Sequence, residues 1–192
     1  MKRKVVIFGL IAAMVLSIGC GKDTNVVGST NASADSKAAS TSKLDEVSYK
    51  GNSISLSSKP ADMVASVGEP DEKFENDNVV DASGKSNKLT IYKYENDGLI
   101  IQTQGEGDSE EIATIIINSE NAVLGNGIKL GASEEAVKAA YGEPIDDGQH
   151  VSEGCGGVTY TYEDENTTET FAFVDGKLSN VSIYNKKYEC EC

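Results

Sequence analysis

The chain of 192 residues has a single histidine, His150. Metal sites built on several imidazoles and the HExxH helix both need at least two, so both are excluded. A Ser-His-Asp triad would have to use His150, which lies in a Gly/Asp-rich stretch with no GxSxG elbow beside it. Walker and GxGxxG phosphate loops are absent, and no acidic stretch has the spacing of an EF-hand. Basic residues are scarce: 17 Lys+Arg stand against 31 Asp+Glu, a net charge of −14. A surface of that sign repels nucleic acid and anionic headgroups. Long apolar runs are missing too. The stretch from Val5 to Ile18 has fourteen residues, too short for an ordinary membrane span. These absences point to a non-enzyme with no cofactor and no metal.

What is present begins with the ends of the chain. Lys2, Arg3 and Lys4 precede the apolar stretch, so residues 1–19 read as an export signal. The stretch closes on Gly19-Cys20, which resembles the lipobox of bacterial lipoproteins. That resemblance implies a diacylated Cys20 as the mature N-terminus and a lipid anchor on the extracytoplasmic face of the cell membrane. Residues 20–45 contain almost no large apolar side chain, a composition that cannot offset chain entropy and reads as a flexible tether. Fully extended, such a tether reaches roughly 80 Å. Cleavage before Cys20 removes three basic residues and leaves 14 Lys+Arg against 31 Asp+Glu, a net of −17. A basic protein, a cationic peptide or divalent cations would suit that surface.

Residues 52–70 and 126–144 are two copies of one segment at a constant offset of 74. Asn52/Asn126, Ile54/Ile128, Leu56/Leu130, Ala65/Ala139 and the closing Gly-Glu-Pro (68–70 and 142–144) are identical. Fixed-period likeness means one unit built twice. Each copy predicts a short extended lead-in, then a helix with Met63/Val67 or Val137/Tyr141 on one face, then a glycine stop. Ser133 is the expected N-cap of the second helix, and Ser58 precedes Pro60 in the first. Beyond each helix the period changes to two. Strands are predicted around Leu89–Tyr94, Leu99–Thr103 and Ile112–Ile117, and around Val158–Tyr162, Glu169–Phe173 and Leu178–Ile183, with Asn96-Asp97-Gly98 and Asp175-Gly176 as turns. The unit boundaries follow as 46–124 and 125–192.

The Ile-x-Leu helix with its Gly-x-Pro stop, the Tyr-x-Tyr strand and the closing hairpin resemble the β-lactamase inhibitory protein-like repeat and the small domain of BamE-type outer-membrane lipoproteins. The resemblance covers most of 52–185 and, with two copies in tandem, fits the inhibitory-protein arrangement better. It implies helices on one side of an antiparallel sheet whose other side is free to bind a protein. The fold class expected is therefore α+β, as two tandem repeats of a short helical segment plus an antiparallel β-meander. It does not imply inhibition of a β-lactamase, because those contacts are side-chain specific.

Two constellations remain. Outside the membrane a bridge from Cys155 to Cys190 or Cys192 would persist, closing a loop of about 35 residues worth roughly 3–4 kcal/mol. A Cys-x-Cys metal or redox site is the alternative, a poor one with three thiols and no neighbouring histidine. Tyr92/Tyr94 and Tyr160/Tyr162 either pack under the helices or form an aromatic binding face. Thr159, Thr161 and Glu163, flanked by Glu165, occupy the alternate face in the second copy. The function expected is a cell-surface lipoprotein that binds a protein or peptide without catalysis. An envelope-assembly accessory and an inhibitor of an extracellular hydrolase are the alternatives.

Overall fold

The structure, a computed structural model, describes residues 44–80, 86–152 and 155–188. Alternating apolar and polar residues dominate this length, and they form eleven strands in two sheets. Strands β3 (Glu72–Val80), β4 (Ser86–Tyr94), β5 (Leu99–Gln104) and β6 (Glu111–Ile117) form one meander. Strands β8 (Asp146–Ser152), β9 (Cys155–Glu163), β10 (Thr167–Val174) and β11 (Lys177–Asn185) form another. They join edge to edge in one antiparallel sheet of eight, in the order β3-β4-β5-β6-β11-β10-β9-β8. The joint is the β6–β11 pair, from Ile117 beside Val181 to Thr114 beside Tyr184.

A smaller sheet is assembled from distant parts of the chain. Strands β1 (Glu46–Tyr49) and β2 (Asn52–Ser55) make a hairpin, and β7 (Ala122–Leu124) pairs with β1 on its other side. Two eight-residue helices complete the fold, α1 (Pro60–Val67) and α2 (Glu134–Tyr141). Ser133 caps α2 by accepting the Ala136 N–H at 3.3 Å, with Glu134 and Glu135 in the first turn. In α1 the cap position is Lys59, whose side chain makes no capping bond, and Ser58 instead accepts the Ser55 N–H at the end of β2. Gly68 (φ 102°) and Gly142 (φ 89°) end the helices in a backbone region that side chains disfavour. The Asp175-Gly176 hairpin has both residues left-handed, at 51° and 70°.

This architecture corrects the expected fold class. The chain is not an α+β pair of tandem helix-plus-meander repeats; it is mostly antiparallel β with two short helices. The β6–β11 pair joins the two meanders into one sheet, and β1 ahead of the first copy pairs with β7 ahead of the second. The likeness of 52–70 to 126–144 does not extend to structure throughout. Asn52–Ser55 is a strand paired with β1, whereas the corresponding segment at 126–129 is turn and coil. The core reflects this balance. The helices contribute only Pro60, Met63 and Val137 as buried residues, while strands supply Tyr49, Ile54, Leu99, Ile101, Ile115, Ile117, Phe171, Phe173, Val181 and Ile183.

Candidate binding face

Successive strand residues point to opposite sides of a sheet. On β4 and β9 the tyrosines take the side that carries the helices and the smaller sheet, and all four are buried. Tyr94 donates to the Gly68 carbonyl at 3.2 Å and Tyr162 to the Gly142 carbonyl at 3.1 Å, so each helix stop is tied to the sheet by a phenol. Tyr92 donates to Glu110 Oε1 at 3.3 Å, and Tyr160 to Glu134 Oε2. Burial pushes the hydroxyls of Tyr92, Tyr94 and Tyr162 up to about 12. Rings pack around them: Tyr49 against Tyr94 at 6.2 Å, and Phe173 against Tyr160 at 4.9 Å.

Thr159 and Thr161 stand on the opposite side, which carries neither helix nor second sheet among the described residues. Pairing continues their rows across the molecule. Thr161 lies beside Thr170, then Ser182, Ile116, Ile100 and Lys93. A second row runs from Glu163 through Thr168, Tyr184, Thr114, Gln102, Ile91 and Phe74, and a third joins Thr159, Ala172 and Asn180. From β10 to β5 these rows hold no charged side chain, in a chain that is 25% charged. On this face Thr114, Thr168 and Ser182 are buried between their larger neighbours, Ile91, Ile100, Ile116 and Tyr184 are half-buried, and Phe74 keeps 51% of its surface exposed.

Charge returns at the rim, where it is paired. Glu163 meets Lys186 at 2.8 Å, and Glu111 meets Lys187 at 2.6 Å. Lys93 lies between Glu72 (3.6 Å) and Asp97 (2.8 Å), with its ammonium 5.3 Å from the centre of the Phe74 ring. Glu165 is exposed in the β9–β10 turn, which the Asp164 carboxylate organises by accepting the N–H groups of Asn166 and Thr167. At one end of the sheet a cleft of about 450 Å³ opens among Lys59, Glu111, Asn166 and Lys187. Its lysines are engaged, Lys187 with Glu111 and Lys59 with the Asp108 carbonyl at 3.1 Å. Among the described residues, no group of three or more His, Cys, Asp or Glu side chains could hold a metal ion.

The structure thus separates the residues singled out in the sequence. Tyr92, Tyr94, Tyr160 and Tyr162 face inward; Thr159, Thr161 and Glu163 face outward; Glu165 lies off the sheet. Cys20, Cys190 and Cys192 lie outside the described residues, and so does the side chain of Cys155. The residues missed are the outward ones of β5, β6, β10 and β11: Ile100, Ile116, Thr168, Thr170, Ser182 and Tyr184. The signal for them was in the strands, whose alternate positions carry uncharged residues where a solvated face ordinarily carries Lys and Glu.

No protein-family model matches the chain, and no curated protein does. Among solved structures, a DUF4309 family protein (YjgB) from Bacillus subtilis is similar at 17% identity and a TM-score of 0.38, over 68% of this chain and 80% of that one. A putative beta-lactamase inhibitor protein from Streptococcus mutans is similar at 17% identity and a TM-score of 0.27, over 67% of this chain and 82% of that one. At these scores neither likeness bears on what the chain binds.

Proposed function

We propose that the chain is a non-catalytic protein-binding module, held at the outer face of a membrane by a lipid on Cys20, and that it docks its partner on the face of the eight-stranded sheet opposite the helices. The observation that carries this reading is the charge-free belt across β10, β11, β6 and β5, continued on β9 by Thr159 and Thr161. Interface centres are depleted of charge and rimmed by it, whereas an ordinary solvated sheet face is not. At about 4.8 Å between strands and ~6.8 Å between alternate residues of one strand, the belt covers roughly 400 Å², the size of an interface centre whose rim supplies the rest of the ~800 Å² per partner of a standard complex.

The partner is a folded protein rather than an added strand. Of the sheet's two edges, β3 carries Glu72, Lys73, Glu75 and Asp77, and β8 opens on Asp146-Asp147 with Gly148 behind them; charged edges resist strand addition. The acidic balance of the whole molecule suits a partner with basic residues around an uncharged centre.

The test is a photo-crosslinking amino acid placed at Ile100 or Thr170, with exposed Glu120 as the control, in cells carrying the full chain. One discrete protein adduct is expected from the first two positions and none from the third. Ile100→Lys should abolish that adduct from Thr170 while the thermal midpoint stays within a few degrees. Adducts absent from both belt positions, or equally abundant at Glu120, would overturn the reading.

A further inference from the structure

Glu169 lies on the covered face of β10, among the core residues. It is 1% exposed, and neither of its carboxyl oxygens completes a hydrogen bond. Buried carboxylates are ordinarily paired with a cation or with several donors. Glu169 has neither. The groups that act on it are the Tyr141 hydroxyl from the end of α2, Tyr162 from β9, Asp45 ahead of β1 and Asp164 in the β9–β10 turn. All are phenolic or acidic.

The pairing of the sheet shows that packing does not require a carboxyl here. Glu169 sits between Tyr162 on β9 and Ile183 on β11. In the other half of the sheet, the residue between Tyr94 on β4 and Ile117 on β6 is Leu99. The two positions correspond, and Leu99 is fully buried. The helix residue above differs in step. Tyr141 closes α2 where Val67 closes α1, and the Tyr141 ring packs on Phe171 at 4.8 Å and on Tyr162 at 5.3 Å. One half therefore holds an apolar pair, Val67 and Leu99, where the other holds a phenol and a carboxyl.

We propose that Glu169 and Tyr141 form a proton-operated switch: the second half of the sheet closes under α2 while the carboxyl is protonated, and loss of that proton loosens α2 and β10. The physical cause is direct. A neutral carboxyl is tolerated in an apolar core, whereas a carboxylate there has no cation and no full set of donors. Burial pushes the Glu169 carboxyl well above its usual range, and the Tyr141 hydroxyl offsets only part of that. Between the unfolded value and the raised folded value, the folded chain then holds one more proton than the unfolded chain. The stability this proton contributes is full below the unfolded value of about 4.3 and is lost as pH rises through the folded value.

Infrared difference spectra between the full chain and Glu169→Gln provide the first test. At pH 7 the wild type should show a protonated carboxyl band that the variant lacks. Hydrogen exchange, read as the ratio of wild type to Glu169→Gln, provides the second. As pH rises, protection in 134–141 and 167–174 should fall by up to about tenfold per pH unit, the limit for one proton. Protection in 60–67 and 99–104 should hold steady. Should Glu169→Gln fail to fold, Glu169→Leu, which copies Leu99, takes its place. A carboxylate band at pH 7, a ratio that does not change with pH, or a loss shared equally by both halves would overturn the switch.

Discussion

Glu95 follows the last residue of β4, and its carboxylate gathers three separate segments. It accepts from the Ser119 hydroxyl at 2.6 Å, from Asn121 Nδ2 at 3.0 Å and from Lys50 Nζ at 3.1 Å. The turn of the small sheet, the loop before β7 and the β4–β5 hairpin thus share one anion. The Ser119 hydrogen bond, more than Asn121 or Lys50, holds the Glu95 carboxyl down at about 2 against the opposing effect of burial. A depressed folded value contributes stability above the unfolded value of about 4.3, and that contribution is lost as pH falls towards the folded one. Glu95→Gln should therefore be less stable than wild type at pH 7 and should show a flatter decline between pH 5 and 2. Urea melts across that range check it; parallel acid limbs would contradict it.

At the scale of elements, the helix stops carry the clearest consequence. A Cβ added at Gly142 would meet nothing within 4 Å, so Gly142→Val is opposed first by the positive φ of 89°. It should cost at least about 1 kcal/mol, seen as a lower urea midpoint with unchanged slope. An unchanged midpoint would remove the stop. Local elements of this kind were legible before the structure. Ser133 as a cap, Gly68 and Gly142 as stops and Asp175-Gly176 as a turn each follow from one residue's own chemistry. The strands that decide the assembly were not. β1 and β7 are four and three residues long, and β8 reads Asp-Asp-Gly-Gln-His-Val-Ser, too polar for a period to show. The pairing of β6 with β11 depends on edges that meet only in three dimensions. For the same reason the two faces of β9 could be distinguished in the sequence, while the belt continuing through β10, β11, β6 and β5 could not.

At the scale of the molecule, the proposed anchor sets where the sheet is displayed. With Cys20 replaced by alanine, cell fractionation should find the protein in the medium or as an uncleaved precursor; a variant still processed normally and bound to the membrane would exclude lipidation at that site. The joint between β6 and β11 has a different consequence, one of time. Hairpins such as β4–β5 and β10–β11 close over short loops, but Ile115 must find Ile183 and Val47 must find Leu124. Pairings so distant in sequence slow folding to the millisecond-to-second range typical of β proteins. During that interval, and throughout synthesis of the second half, β6 is a bare edge. Its Ile112-Ala-Thr-Ile-Ile-Ile117 run has no charge and no proline, the composition from which cross-β aggregates grow. The strand that unites the finished sheet is therefore the one most in need of a chaperone until β11, the last strand of the chain's described length, has been made.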